Sequence, residues 1–250
     1  MKKVLVGCPI YDGKEYIIDR YLERVNELTY ENYDVLLIDN SKTIEFAKKL
    51  KAKGVNVVKI EWEDNSKKRL VMARNYLRDY ALKNNYDYFF SLEQDVIPPK
   101  DIIEQLLAHD KEVVGGWYYI CKGPDTRPCI AQEWTLVDMK FTLNHDIMIN
   151  LARTKLMKVF LGSLGCCLIR KDVLEKIKFR YLPTFSHHDD TWFYMDCEKK
   201  KIGVYVDTGL LVSHFQDYKW GELTMGIEKA EFEEIKIKEE KLEYKEIDIN

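Results

Sequence analysis

The chain has 250 residues, 46% of them hydrophobic and 12% aromatic, which is enough for one large domain and too apolar for a disordered protein. Lys and Arg (39) nearly balance Asp and Glu (42), which argues against a protein held to nucleic acid or anionic lipid by bulk charge. No stretch has the features of a signal peptide or the ~20 apolar residues of a transmembrane segment. The six cysteines form no CxxC pair and are typical of reduced core thiols. We therefore expect a cytoplasmic protein, either free or peripherally bound to a membrane.

The first half alternates between two kinds of pattern. Short apolar runs bounded by turn residues predict buried strands at residues 3–8, 35–38, 55–60, 86–92 and 113–114. Between them, apolar residues at helical spacing predict helices at about residues 18–28, 44–50, 70–80 and 101–109. This alternation, with strands that are apolar throughout, indicates an α/β fold with a mostly parallel central sheet and helices on both faces.

The second half is less regular. Residues 117–160 have no clean period, whereas strands are predicted at 160–169, 204–206 and 210–214, and helices at 173–177 and from about 189 to 200. From residue 228 the chain is rich in Glu and Lys, which predicts a solvated helix or an edge element. We assign residues 1–220 to a single domain and residues 221–250 to a charged C-terminal extension.

Polar residues follow three of the predicted strands, in segments 9–12, 39–41 and 93–95. Ligands of open α/β sheets bind at the carboxyl ends of the strands, so chemistry is expected at these segments.

Glu93 and Asp95 place two carboxylates one residue apart at a strand end. Such a pair is suited to hold Mn²⁺ or Mg²⁺ against a diphosphate, although it could equally cap the next helix or fix a turn. His214, at the end of an apolar strand, favours the metal interpretation, because an imidazole, a carboxylate and diphosphate oxygens form a suitable Mn²⁺ shell. We predict Asp95 and His214 as metal ligands.

Asp189 and Asp190 lie at the start of a predicted helix. They are candidates for helix capping and for a general base. A helix N-terminus lowers the pKa of a carboxyl group, whereas a neighbouring carboxylate raises it. We favour Asp190 as the base and Asp189 as its support.

Arg74 and its neighbour Asn75, on the third helix, either reach the nucleotide end of the cleft or belong to a solvated charged face.

In their order and spacing, these motifs resemble those of the family-2-like glycosyltransferases of the GT-A fold, over residues 3–216. The matching features are the first strand through Tyr11, Asp39 after the second strand, Ala73-Arg74-Asn75, Glu93-Gln94-Asp95 as a DxD-type motif, Gly162 and Gly165 in the glycine-containing strand, His188-Asp189-Asp190-Thr191 as the ED-type motif, and Val212-Ser213-His214. Two residues depart from the family pattern. Glu93 replaces the first Asp of DxD, and Asp189 replaces the usual Glu of the ED pair, which leaves the choice of base open.

The resemblance implies transfer of a sugar, with inversion, from a nucleotide-diphosphate sugar to the hydroxyl of an acceptor, which is a glycan, a lipid-linked sugar or a small molecule. It implies Mn²⁺ or Mg²⁺ as cofactor and Asp39 and Tyr11 as contacts of the base and ribose. The donor-binding residues that it implies are Pro9, Tyr11, Asp39, Arg74, Asn75, Glu93, Gln94 and Gly165.

Two other functions compete with glycosyl transfer. A nucleotidyltransferase of similar architecture would also bind a nucleotide and Mg²⁺, but residues 8–14 have a single glycine where such enzymes carry a glycine-rich, basic loop. A non-catalytic protein that binds a sugar nucleotide or glycan is the second alternative. A dinucleotide oxidoreductase is disfavoured because no GxGxxG follows an early strand.

Overall fold

The structure is a computed structural model that describes residues 1–122, 125–130, 134–137, 140–143, 155–183, 188–215 and 243–249. The elements of the first half are β1 (Val4–Ile10), a 3₁₀ helix (Asp12–Ile17), α1 (Ile18–Asn26), β2 (Tyr33–Asp39), α2 (Glu45–Ala52), β3 (Val57–Ile60), α3 (Ser66–Lys83), β4 (Tyr88–Leu92), β5 (Val96–Ile97), α4 (Ile102–Leu107) and β6 (Val113–Trp117).

The described elements of the second half are β7 (Tyr119–Lys122), β8 (Asp125–Pro128), β9 (Trp134–Val137), β10 (Lys140–Leu143), β11 (Leu156–Lys158), β12 (Cys166–Arg170), α5 (Lys171–Lys176), α6 (Asp189–Lys199), β13 (Val204–Leu211), β14 (Ser213–His214) and β15 (Glu246–Ile247). Pairs β7/β8 and β9/β10 form antiparallel ladders within the stretch where the sequence has no clean period.

The central sheet has nine strands in the order β11-β13-β6-β12-β4-β1-β2-β3-β15. Strands β4, β1, β2 and β3 are parallel to one another, as predicted, and β13 is parallel to β6. Strand β12 runs antiparallel to both of its neighbours, and each outer strand, β11 or β15, runs antiparallel to its single neighbour. The α/β prediction is confirmed, and the reversal of β12 could not be predicted because an apolar run has the same pattern in either direction.

The core lies where the central strands pack against helices. All seven residues of β1 and all five of β4 are buried, as expected for strands covered on both faces. Helix α3 contacts β1, β2 and β4, and its buried residues include the polar Arg74 and Asn75 beside Ala73 and Leu77. This helix therefore brings a guanidinium group into the interior, next to the end of β4.

Two predicted strands have different bounds in the structure. The strand predicted at 160–169 begins only at Cys166, because it is preceded by a turn at residues 164–165, where Gly165 lies close to Tyr118. The strands predicted at 204–206 and 210–214 form one longer strand, β13, with a register shift between Val206 and Leu211, followed by the short β14.

The end of the described chain returns to the edge of the sheet. Strand β15 pairs antiparallel with β3, and the hydroxyl groups of Tyr76 and Tyr244 donate hydrogen bonds to Glu246 (2.7 Å) and Asp79 (2.8 Å). Residues 243–249 are thus an edge element, whereas residues 216–242 lie outside the described residues and the division at residue 221 stays a prediction. No helix in the described part of the chain combines the length and the apolar character needed to cross a bilayer.

Candidate active site

The loops after β1 and β4 meet at one edge of the sheet and are joined by Gln94. Its buried side chain accepts a hydrogen bond from the backbone N–H of Tyr11 (3.1 Å) and donates one to the carbonyl of Lys14 (2.9 Å). Both polar groups of the Gln94 amide are therefore used by the protein backbone. Contact of Gln94 with a sugar-nucleotide donor stays a prediction, and these hydrogen bonds do not support it.

Asp39 ends β2 as a fully buried carboxylate with one free oxygen. Its Oδ1 accepts hydrogen bonds from the backbone N–H (2.8 Å) and the hydroxyl of Ser41, whereas its Oδ2 has no partner among the described residues. Burial raises the pKa of Asp39, although the Ser41 hydrogen bonds oppose this effect. Because an unsatisfied buried oxygen is costly, Oδ2 is a point where an N–H or O–H donor of a ligand would be stabilised.

The buried side chain of Lys59 binds the backbone next to Asp39. The ammonium of Lys59 donates to the carbonyls of Ser41 (2.7 Å) and Ile60 (2.6 Å). Burial lowers the pKa of Lys59, although the Asp39 charge opposes the shift. Lys59 was not predicted as a site residue, and its only signal in the sequence is a lysine inside the apolar run 55–60.

Tyr11 and Pro9 are placed at the end of β1. Pro9 is buried within the strand, and Tyr11 is half-buried just beyond it. A Cβ at Gly13 would lie 2.2 Å from the Tyr11 ring, so this ring needs glycine at position 13. Burial raises the pKa of Tyr11. Donor contacts by Tyr11 and Pro9 stay predictions.

The β4–β5 loop brings Asp95 to His214. Strand β5 pairs with β14 so that His214 lies opposite Val96, and His214 Nε2 is 3.4 Å from Asp95 Oδ2. The other ring nitrogen, Nδ1, is 3.0 Å from the carbonyl of Tyr119. A carbonyl only accepts, so Nδ1 carries the proton and Nε2 is the nitrogen that faces Asp95. The structure thus places the two predicted metal ligands side by side.

Lys14 also contacts Asp95, which the sequence analysis did not anticipate. Lys14 Nζ is 2.7 Å from Asp95 Oδ2, while Asp95 Oδ1 is buried without a partner among the described residues. Burial acts to raise the pKa of Asp95, but the His214 hydrogen bond and the Lys14 charge outweigh it and hold the pKa below its usual range. Burial acts to lower the pKa of His214, and Asp95 raises it overall.

The fit of a cation rests on these two side chains. Within the described residues, no three side chains of His, Cys, Asp or Glu converge as a ligand set. Asp95 and His214 nevertheless provide a carboxylate oxygen and an imidazole nitrogen, which are donors that Mn²⁺ accepts, and Oδ1 of Asp95 is free. The residues present suit a divalent cation, for which they would supply two of the ligands.

Arg74 links the two acidic pairs of the sequence. Its guanidinium is buried, donates to Ser91 Oγ (2.7 Å) and Glu93 Oε1 (2.5 Å), and forms an ion pair with Asp189. Burial acts to lower the pKa of Arg74, but the charges of Asp189 and Glu93 raise it above its ordinary value. We predicted Arg74 and Glu93 as donor contacts, and in this structure they bind each other.

Asp190 is the member of its pair that Arg74 does not engage. Helix α6 begins at Asp189, and the Asp190 carboxylate accepts hydrogen bonds from the backbone N–H (2.6 Å) and the hydroxyl (3.3 Å) of Thr191. Burial, followed by the charge of Asp189, raises the pKa of Asp190 to about 6. The lowering expected from the helix N-terminus is therefore outweighed, and Asp190 is more basic than an ordinary aspartate.

Gly165 is required by a close approach. A Cβ at this position would lie 2.2 Å from the hydroxyl of Tyr118, which hydrogen-bonds Ser163. The Tyr118 ring centroid in turn lies 4.4 Å from that of His214. Gly165 therefore makes room for the side chain that packs on His214, and donor contact by Gly165 stays a prediction.

Asn75 is the predicted donor contact that the structure does not bring to this cluster. Its amide donates to the carbonyl of Phe179 (2.8 Å) and accepts from the N–H of the same residue (3.0 Å). Asn75 thus fastens α3 to the segment after α5, and its donor-binding role stays a prediction without support from its contacts.

The sequence model of the family described as Glycosyl transferase family 2 matches residues 6–178, which is more than half of the chain. The chain belongs to glycosyl transferase family 2. The match includes Asp39, Arg74 and Asp95 and ends before Asp189 and His214. In this glycosyltransferase, the assignment of the last two residues to the site therefore rests on their contacts with Arg74 and Asp95.

One solved structure agrees with the family assignment at the level of the fold. This glycosyltransferase superposes on GalNAc-T7, solved with UDP, GalNAc and Mn²⁺, with a TM-score of 0.66 at 14% identity over 88% of this chain and 45% of that chain. This similarity confirms the predicted GT-A fold. A197 from STIV matches at 17% identity over 86% of this chain and 87% of that chain, with a TM-score of 0.47. The search of curated proteins found no match.

Proposed function

We propose that this glycosyltransferase moves a sugar from a nucleotide-diphosphate donor to an acceptor hydroxyl with inversion, and that Asp190 is the general base. The observation that carries the proposal is the position of Arg74, which binds Glu93 and Asp189 and so engages one carboxylate of each acidic pair. The other two carboxylates, those of Asp95 and Asp190, are left for a cation and a proton.

The electrostatics of Asp190 suit the removal of a proton. With a pKa of about 6, its carboxylate is mostly ionised at neutral pH and yet holds a proton more strongly than an ordinary aspartate. As the acceptor oxygen attacks the sugar carbon, its proton passes to Asp190 and the bond from that carbon to the diphosphate oxygen breaks. Attack on the face opposite the leaving group inverts the configuration at the carbon.

The donor end is assigned to the residues after β1 and β2. The free Oδ2 of Asp39 accepts a hydrogen bond from an N–H of the base or from a ribose hydroxyl, and the half-buried ring of Tyr11 offers a flat apolar surface. Arg69 lies at the same edge, where it donates to Asn40 (3.2 Å) and stacks on Trp62 (3.9 Å), so its role is to order the loop beside Asp39.

Asp95 and His214 are the residues that would hold Mn²⁺ or Mg²⁺. When bound, the cation supplies positive charge that offsets the negative charge developing on the departing nucleoside diphosphate. The free Oδ1 of Asp95 and the orientation of His214 Nε2 support this role. The Mn²⁺ in the GalNAc-T7 structure agrees with the choice of metal.

To test this function, the protein is incubated with each of a panel of nucleotide sugars, and the released nucleotide product is measured. Each reaction is run with Mn²⁺ and with a chelator. The acceptor is either a candidate sugar or water. We expect one donor to release its nucleoside diphosphate without pyrophosphate, and Asp190→Asn to abolish the release. Pyrophosphate as product would instead identify a nucleotidyltransferase. Binding of a sugar nucleotide without turnover by the wild type would identify a binding protein.

A further inference from the structure

The Lys14 ammonium lies at the carboxylate that we assign to the metal. Its Nζ is 2.7 Å from Asp95 Oδ2, the same oxygen that His214 Nε2 faces at 3.4 Å. The side chain of Lys14 is only 24% exposed. Its backbone is fixed at both ends, because its N–H donates to the carbonyl of Tyr11 (3.1 Å) and its carbonyl accepts from Gln94 (2.9 Å). Lys14 is thus delivered to Asp95 by the fold and does not reach it from the surface.

An ammonium group and a divalent cation compete for Asp95. Both are positive, and at this separation in a poorly hydrated site their repulsion is large. The other acidic residue of the loop, Glu93, also attracts the Lys14 charge, but its carboxylate is held in an ion pair by Arg74. A divalent cation bound to Asp95, even through the free Oδ1, neutralises the charge that stabilises Lys14 and places a second positive charge beside its mostly buried ammonium. This arrangement is unfavourable unless another anion arrives.

We propose that Lys14 is the resident cation of the donor site: it holds Asp95 in the absence of donor, keeps free metal out, and binds the diphosphate when a metal enters. This inference rests on the proposed function of Asp95 and His214. The flexible four-carbon chain of lysine allows a small movement of the ammonium. The anion expected to arrive with the metal is a diphosphate, because Mg²⁺ is commonly bound by one or two carboxylates together with substrate phosphates. Metal and nucleoside diphosphate then bind cooperatively, because each removes the obstacle to the other.

The experiment measures binding of Mn²⁺ alone to the full chain by electron paramagnetic resonance, in the wild type and in Lys14→Met. Loss of a close positive charge raises the proton affinity of a carboxylate by ~10- to 1,000-fold. The same charge acts on a metal ion, so we expect Lys14→Met to bind free Mn²⁺ at least tenfold more tightly. With UDP or GDP present and metal removed by a chelator, the same variant should bind the nucleotide more weakly than the wild type. Calorimetry measures this second effect.

Matched variants separate the possible outcomes. Lys14→Arg keeps the charge and should bind free Mn²⁺ as weakly as the wild type, and Lys53→Met, which removes a surface lysine paired with Asp19, should change nothing. Equal affinity of the wild type and Lys14→Met for Mn²⁺, with binding lost in Asp95→Asn, overturns the role of Lys14 and leaves the metal site standing. Absence of Mn²⁺ binding in all variants, even with UDP or GDP, overturns the metal site itself. Thermal unfolding verifies that each variant is folded.

Discussion

The two acidic pairs of the site share one arginine and differ in what surrounds the carboxylate that remains. In the first pair Arg74 binds Glu93, and Asp95 is left beside two basic groups that hold its pKa below the usual range against the effect of burial. In the second pair Arg74 binds Asp189, and Asp190 is left with a pKa raised to about 6 by burial and by the charge of its neighbour.

This difference matches two kinds of chemistry. A carboxylate that must exchange one cation for another is best kept ionised, as the basic neighbours of Asp95 do. A carboxylate that must accept a proton needs a pKa close to the working pH, and burial, followed by the negative charge of Asp189, raises the pKa of Asp190 toward it. Because Arg74 binds Glu93 and Asp189, the two remaining aspartates, Asp95 and Asp190, are left in different electrostatic environments and suit different roles.

The largest effect is expected for Asp190→Asn. Asparagine keeps the shape and can still accept the hydrogen bond from Thr191, but it cannot take a proton. Turnover should fall by ~10²- to 10⁴-fold, as is typical for loss of a general base. Binding of the nucleoside diphosphate, measured by calorimetry, should stay near the wild-type value. Full activity of this variant would place the base elsewhere, with Asp189 as the next candidate.

The next largest effect is expected for Arg74→Met, which should lower the free energy of unfolding. In Arg74→Met the buried Asp189 and the partly buried Glu93 lose their cation. Breaking a buried ion pair on one side costs about 3–5 kcal/mol, which chemical denaturation would show as a lower free energy of unfolding. Arg74→Lys is the matched control and should lose less, because it keeps the charge but cannot bind three partners at once. Stability unchanged in Arg74→Met would contradict the linkage of the two pairs.

The edge of the sheet at which we propose that the donor sugar nucleotide binds could be predicted from the sequence, because the pattern that indicates it is local. Strands β1, β2 and β4 are apolar throughout since both of their faces are covered, and parallel neighbours bring their carboxyl ends to one edge. The polar residues after these strands, Asp39 and Asp95 among them, had to fall close together. Their residue types alone were enough to predict a site.

The partners of the site residues could not be predicted in the same way. The link from Arg74 to Asp189 joins residues 115 positions apart, and the contact of His214 with Asp95 depends on the pairing of β14 with β5. Lys14 gave no signal beyond a charged residue in a loop. The amide of Gln94 was assigned to the donor, whereas it binds backbone groups that only folding brings within reach.

The next prediction concerns the pH dependence of activity. As the proposed general base, Asp190 acts in its ionised form, so kcat/KM should rise with pH through a pKa of about 6. In Asp189→Asn the negative neighbour is absent, and this acid limb should move to lower pH by about one pKa unit, a typical effect of a neighbouring charge. A pH–rate profile for both proteins measures the shift. An unchanged or raised limb would mean that Asp189 does not act on the base.

The smallest effect is a change in how stability depends on pH. Because the pKa of Asp190 is raised in the folded state, the folded protein binds a proton between pH 4 and 6 that the unfolded chain has released. Lowering the pH from 7 to 5 should therefore stabilise the wild type relative to Asp190→Asn by about 1 kcal/mol, as urea denaturation at each pH would show.

The matched control is Asp101→Asn, which replaces an exposed aspartate and should follow the wild type. The carboxyl group of Asp95 should not contribute in this range, since its lowered pKa leaves it ionised in both states above pH 5. Parallel pH curves for the wild type and Asp190→Asn would mean that Asp190 is solvated like a surface carboxylate, and the contrast between the two pairs would disappear.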